Sequence, residues 1–420
     1  MVNSTPITST VQKAGPMYVY LIAFIAGAGA FIYGFDIVLM SGAILFMEKY
    51  FTLTPALKGF AMTSAVYGVL LGLVVGSSLA DRIGRKWTLI LSGLLFGISA
   101  VGTAIPRSFF EWNVYRIVGG VGGGLACMVS PMLIAELAPS HKRGLLVTIN
   151  QLSMVIGAFA SNVTAWLLAE YLPPETCWRW MFGSEMVPIV FFVIFLFLIP
   201  ESPRWFAEKG RFEEARQVLA RVGGEEDADN SIVEIKSSLV KETGGFSELL
   251  QPGFRMALLV GVLLAFFNNT TGLTMIAYYM PVIFQKTGYE LATDALFQFL
   301  VFNIANTIFA IIGLFIVDVV GRRPLWLVGS LAMAFATGLM GLLIVAGVKG
   351  IIVVLVVFMC AWPHEIGLGP LPWLMISEIF PNRVRAKAVC VCTVMIWIGN
   401  YLGAQIFPSM LDYSEKAFGT

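Results

Sequence analysis

The chain has 420 residues, of which 58% are hydrophobic and only 13% charged, with a formal net charge of +1. Soluble globular proteins carry about 25% charged residues, so the composition points to a polytopic membrane protein rather than a soluble one. The charges fall in short loops rather than on one face, so nothing in them points to nucleic acid and none is expected as a partner. The five cysteines lie singly or in apolar runs with no His or Cys cluster beside them, so no metal site is expected.

A polar tail, residues 1–16, precedes the first apolar run. That run is too long for a signal-peptide core and lacks a small-residue cleavage pattern, so it reads as a retained span. Runs long enough to cross the hydrocarbon core fall at roughly 17–47, 57–80, 86–106, 111–138, 144–170 and 178–199. A polar stretch, 200–253, follows. Further runs fall at roughly 254–284, 292–318, 323–347, 350–379 and 386–411. Six spans, a long loop and five spans divide the chain into 17–199, 200–253 and 254–420.

The first span contains Asp36, and the fourth contains Arg116. Charges at membrane depth are expensive and by default mark function. Asp36 lies ~27 Å from the N-terminal end of its span and Arg116 ~8 Å from the opposite surface, depths at which the two can meet. An acid that takes a proton and releases a base would link protonation to movement; a permanent salt bridge is the bland alternative. The glycines Gly119, Gly120, Gly122, Gly123 and Gly124 also lie in span four. They follow no strand and precede no Lys-Ser/Thr pair, so they read as close helix packing rather than a nucleotide loop.

Within 200–253, Arg211–Arg221 and Ser231–Lys241 read as short amphipathic helices bracing the two halves. In the later spans Asn268, Asn306 and Asn400 each lie ~21 Å from a span end, near mid-membrane. With Gln151 in span five and Trp373 in span ten, they suggest a cavity. Neutral polyols need amides that donate and accept at once, and an aromatic face for their C–H surface. Glu365, beside His364 in span ten, is a second candidate for protonation at membrane depth.

With the N-terminus cytoplasmic, 19 of the 27 basic residues face the cytoplasm, the bias that the positive-inside rule expects. The halves also echo each other. Asp81-Arg82-Ile83-Gly84-Arg85-Lys86 after span two is matched by Asp318-Val319-Val320-Gly321-Arg322-Arg323 after span eight, and Glu136…Arg143 by Glu378…Arg385. Asp81, Arg85, Glu136, Arg143, Glu201, Arg204, Asp318, Arg322, Glu378 and Arg385 are candidate ion pairs of a cytoplasmic gate. Pairs made only when that side is closed would favour the outward-open state.

Several motifs together resemble the sugar porter family of the major facilitator superfamily. They are Gly34-Phe35-Asp36…Ser41-Gly42-Ala43, the Asp81–Lys86 loop, Pro200-Glu201-Ser202-Pro203-Arg204, Gly369-Pro370-Leu371-Pro372-Trp373 and Glu378…Arg385. The resemblance implies an all-α membrane protein of two six-helix bundles joined by a cytoplasmic helical linker. On that plan a twelfth span is missing here, and a longer parent chain is the expectation. It implies a monomer in the lipid of the plasma membrane, with no cofactor beyond a coupling proton. Its substrate would be a small sugar or polyol, and it would not be an enzyme.

By the same resemblance, Gln151, Asn306, Trp373 and Asn400 match positions that contact sugar, and an acid at Asp36 matches proton-coupled members. The chain departs from the family in span seven. Asn268-Asn269-Thr270-Thr271-Gly272-Leu273-Thr274 stands where the family carries Gln-Gln and a later Asn. Amide character survives at Asn268 and Asn269 with a shorter reach, and Thr274 replaces an amide. The expected function is proton-coupled transport by alternating access. A facilitative uniporter and a non-transporting receptor are the alternatives.

Overall fold

The computed structural model describes residues 17–139, 143–241, 246–286, 288–380 and 382–418. The tail 1–16 and the side chains of Arg143, Asp318 and Arg385 lie outside the described part. Regular structure among the described residues is helical throughout.

The first half comprises α1 (Met17–Phe51), α2 (Pro55–Ile83), α3 (Arg85–Ala104), α4 (Phe109–Leu137) and α5 (Arg143–Tyr171), then α6 (Pro174–Ser184) and α7 (Met186–Leu196), which share one span. The connecting segment carries α8 (Pro203–Glu208), α9 (Phe212–Gly223), α10 (Glu225–Lys241) and a 3₁₀ turn, Phe246–Leu250. The second half comprises α11 (Arg255–Thr270), α12 (Leu273–Lys286), α13 (Ala292–Val320), α14 (Arg322–Val345) and α15 (Ile351–Pro363). A π turn, His364–Leu368, leads into α16 (Pro370–Ile379), and α17 (Asn382–Phe418) follows. Among the described residues eleven helical segments are long and apolar enough to cross a membrane.

Three spans are not continuous α-helices. Span six breaks at Glu185, between α6 and α7. Span seven breaks at Thr271–Gly272, where Gly272 takes φ 109°, a conformation open to glycine and strained for other residues. Span ten widens into the π turn because Pro370 and Pro372 supply no amide N–H to the carbonyls four residues earlier. Breaks of this kind persist at membrane depth only where other protein groups satisfy the backbone.

Helix packing in the first half rests on glycine. A Cβ at Gly120 would run into the Ala65 carbonyl oxygen of α2, and one at Gly68 into the Ile117 carbonyl oxygen of α4. Without side chains at the crossing, the two backbones touch, which maximises van der Waals contact where lipid removes any hydrophobic drive.

In the connecting segment, the second helix begins at Glu225, six residues before the position expected from apolar spacing. Gly224, with φ 100°, ends α9 and lets the chain turn directly into α10. Glu225 then complements the helix N-terminus, and Arg216 clamps α9 to α10 through Asp229 at 2.7 Å. These helices rest on the first half, with the Trp205 indole donating to the Asp81 carbonyl at 3.1 Å and Arg221 stacked over Tyr18. The 3₁₀ turn packs Leu249 into a cluster with Phe380 and Val384 of the second half.

Candidate functional site

Asp36 on α1 and Arg116 on α4 form an ion pair, with both side chains buried at 5% and 3% exposure. The Arg116 guanidinium lies 5.8 Å from the Trp112 ring and 5.7 Å from that of Phe182, so an apolar wall excludes water on that side. A third charged group joins them. Glu185, 1% exposed at the α6–α7 break, shares a hydrogen bond with Asp36 and faces Arg116. Sequence reading passed over Glu185, although it is an acid in an apolar run like Asp36 and the same rule would have found it.

A small hollow opens beside this cluster, lined by Tyr33, Asp36, Arg116, Tyr278 and Trp397. Tyr278, on α12, also reaches Asn400 of α17, whose amide donates to the Tyr278 hydroxyl at 3.1 Å. One tyrosine therefore touches both the hollow holding the ion pair and a candidate sugar-binding amide. Tyr278 was not among the residues singled out from sequence.

The other candidate binding residues fall into two groups. Asn268 and Asn269 are engaged in helix contacts. The Asn268 amide donates to Leu368 O at 2.7 Å and to Gly369 O at 3.1 Å. In a regular helix Leu368 O would accept from residue 372, which is proline, so Asn268 satisfies a carbonyl that the span-ten break leaves open. Asn269 donates to Ile396 O at 3.2 Å and accepts from the Thr274 hydroxyl at 2.9 Å. Span seven is thereby tied to spans ten and eleven.

Asn306, half-buried on α13, donates to Glu365 Oε1 at 2.8 Å, which brings together two residues that the sequence marked separately. Gln151 on α5 is exposed, and Trp373 on α16 is 46% exposed, so both present free polar or aromatic surface.

The end of the bundle bearing the basic loops holds the remaining charges. Arg85 pairs with Glu136 at 3.1 Å, Asp81 at 3.3 Å and Glu208 at 3.2 Å. The Glu201 carboxylate accepts the backbone N–H groups of Arg85 at 2.9 Å and Ser202 at 2.8 Å, and sits so close to Gly84 that a Cβ there would strike it. Burial pushes the Glu201 carboxyl up, against the pull of the Ser202, Lys86 and Arg85 amides and the Arg85 charge. Arg204 reaches Glu208 at 3.3 Å. In the second half Arg322 pairs with Glu378 at 3.1 Å, the counterpart of Arg85 with Glu136. Arg85–Asp81, Arg85–Glu136 and Arg322–Glu378 each join residues of one half, and Glu208 ties the connecting segment to Arg85 of the first half.

The halves meet at mid-depth and at the opposite end. There Tyr67 donates to the Tyr401 hydroxyl at 2.7 Å, Thr63 donates to Gln405 Oε1 at 2.7 Å, and the Trp166 ring lies 5.8 Å from that of Phe297. Tyr33 and Trp397 meet edge to face at 5.8 Å nearer the middle.

Known proteins resemble this chain over most of its length. The family model described as "Sugar (and other) transporter" matches residues 22–420. The arabinose-proton symporter of Bacillus subtilis is 36% identical over 407 residues, 96% of this chain and 88% of that protein. The D-xylose-proton symporter of Escherichia coli is 33% identical over 427 residues, covering 94% and 86% respectively. The inward-open structure of the E. coli xylose transporter XylE superposes with a TM-score of 0.82 at 30% identity, over 94% of this chain and 90% of that one. These relatives are transporters rather than enzymes, and the XylE structures carry the major facilitator fold. With eleven candidate spans among the described residues and the family model matching residues 22–420, the chain belongs to the sugar transporter family.

Proposed function

We propose that this chain carries a sugar or related polyol across the plasma membrane together with a proton, by alternating access, with its N-terminus and basic loops in the cytoplasm. The observation that carries the coupling is the buried cluster of Asp36, Arg116 and Glu185. Two carboxylates face one guanidinium there, so a single proton brings the group to neutrality. Two unit charges ~4 Å apart interact by about 4 kcal/mol at an effective dielectric of 20, so such a proton is a large lever on α1 and α4. Protonating Asp36 removes the charge that holds Arg116. Tyr278 then relays the rearrangement to Asn400 and the substrate.

The substrate reading rests on amides, hydroxyls and one accessible indole: Gln151, Asn306, Trp373 and Asn400, with Asn268, Asn269 and Thr274 shaping span seven. These groups suit a neutral polyol. Relatives named for arabinose and xylose favour a pentose. Contacts between the halves at the end away from the basic loops support an inward-facing state, with the chain acting as a monomer in lipid.

Uptake of radiolabelled pentoses, hexoses, polyols and polyhydroxy acids into proteoliposomes, with and without an inward proton gradient, tests this directly. At least one pentose or polyol should accumulate only when the gradient is present. Uptake of none overturns the transport reading; uptake that ignores the gradient leaves a uniporter.

Closure at the outer end has its own test. Tyr67→Phe with Gln405→Ala removes two bonds between the halves. At roughly 1 kcal/mol each, the pair should shift the opening equilibrium by about tenfold or more. Thiol labelling of a cysteine placed near Thr63 should quicken accordingly. Unchanged labelling would show that these bonds do not hold that end shut.

A further inference from the structure

On the outside of the first half, away from the transport pathway, a groove of about 730 Å³ runs between α3, α4 and α7. That volume lies within the range of small-molecule sites. Its walls are apolar along their length, and its one polar mouth carries Arg107 and Glu111. From Ile105 to Gly93 the groove follows α3 for ~18 Å, close to the ~15 Å depth of a single leaflet of the hydrocarbon core. It therefore runs from the membrane surface to the bilayer midplane.

Gly97 keeps the groove open. A Cβ there would meet only the Ile189 and Met186 side chains, at 3.8 and 3.9 Å. At Gly93 and Gly102, by contrast, Val193 and Tyr115 already occupy the space. The mouth is arranged with equal definition. Arg107 is exposed, and the half-buried Glu111 accepts the Arg107 backbone N–H at 2.9 Å, which fixes its carboxylate at the same mouth as Arg107.

A cation and an anion at the mouth of an apolar slot one leaflet deep complement a headgroup carrying a phosphate and an ammonium. Arginine suits the phosphate, and a carboxylate suits a hydrogen-bonding ammonium. We propose that this groove binds one phospholipid of the leaflet at that end, its acyl chain lying along Gly97 and its ethanolamine-type headgroup held between Arg107 and Glu111. An anionic headgroup without an ammonium would meet repulsion from Glu111, so the site selects as well as binds.

Native mass spectrometry tests the proposal. The full chain, stripped of lipid in detergent, is titrated with phosphatidylethanolamine or phosphatidylglycerol of identical acyl composition. The wild type should bind one phosphatidylethanolamine about tenfold more tightly than phosphatidylglycerol. Gly97→Phe, which fills the slot, should lose that lipid. Glu111→Gln keeps an oxygen for the Arg107 N–H and should still bind one lipid, with the preference reduced to about twofold. Retention by Gly97→Phe equal to wild type overturns the proposal. So does a preference unchanged in Glu111→Gln, or a dimer of chains that excludes lipid from the groove. Should Gly97→Phe fail to fold, the Glu111→Gln comparison decides alone.

Discussion

Asp36→Asn should abolish uphill sugar accumulation driven by an inward proton gradient, while counterflow at equal sugar concentrations persists. Each pH unit of gradient is worth about 1.4 kcal/mol per proton, a tenfold accumulation ratio for one-to-one coupling. Without a titratable group at position 36, that ratio should fall to one. The amide preserves shape and an oxygen facing Arg116, so folding is spared much of the 3–5 kcal/mol that typically follows loss of one partner from a buried pair. Glu185→Gln is the companion variant. It leaves Asp36 and Arg116 paired while removing the third charge, so it should displace the pH dependence of uptake without eliminating accumulation. Gradient-driven accumulation that survives Asp36→Asn at full strength would exclude Asp36 as the proton site and leave Glu185 or Glu365 to carry the coupling.

Gly120→Ala and Gly338→Ala should move thermal stability in opposite directions. A methyl group at Gly120 meets the Ala65 carbonyl oxygen, which is backbone and cannot rotate away, whereas at Gly338 nothing lies within 4 Å. Overpacking of this kind typically costs about 1–3 kcal/mol. In an open helix position, replacing glycine by alanine gains up to about 1 kcal/mol through reduced backbone entropy. Thermal midpoints in detergent should therefore fall for Gly120→Ala and stay level or rise for Gly338→Ala. Equal shifts would show that the α2–α4 crossing does not depend on backbone contact.

The architecture was legible in the chain because lipid imposes length and hydrophobicity on every span. Eleven apolar runs return as eleven candidate spans among the described residues, and two residue pairs of the sequence echo are ion pairs of 3.1 Å, Arg85 with Glu136 and Arg322 with Glu378. Asp36 and Arg116 were also legible, since a charge in an apolar run stands out whatever surrounds it. Glu185 carried the same signal inside the run 178–199 and was not singled out.

Other features lay beyond local pattern. Asn268 reads equally well as a ligand for sugar or as a helix contact, and only its approach to Leu368 O across a hundred residues separates the two uses. Trp373 and Gln151 are exposed, which no periodicity records. Tyr278 was invisible as a link because its meaning depends on Asp36, Arg116 and Asn400 converging from three other helices.

The chain by itself determined that helices cross a membrane, where most of them begin and end, and that two expensive charges lie at compatible depth. Solvent chemistry sets those terms residue by residue. Tertiary structure decided which polar groups face one another: the third carboxylate beside Asp36, the amide that replaces a missing proline N–H, and the lipid-sized groove beside Gly97. Those pairings depend on backbones meeting at glycine crossings and breaking at Gly272 and Pro370, so they exist only once the helices pack.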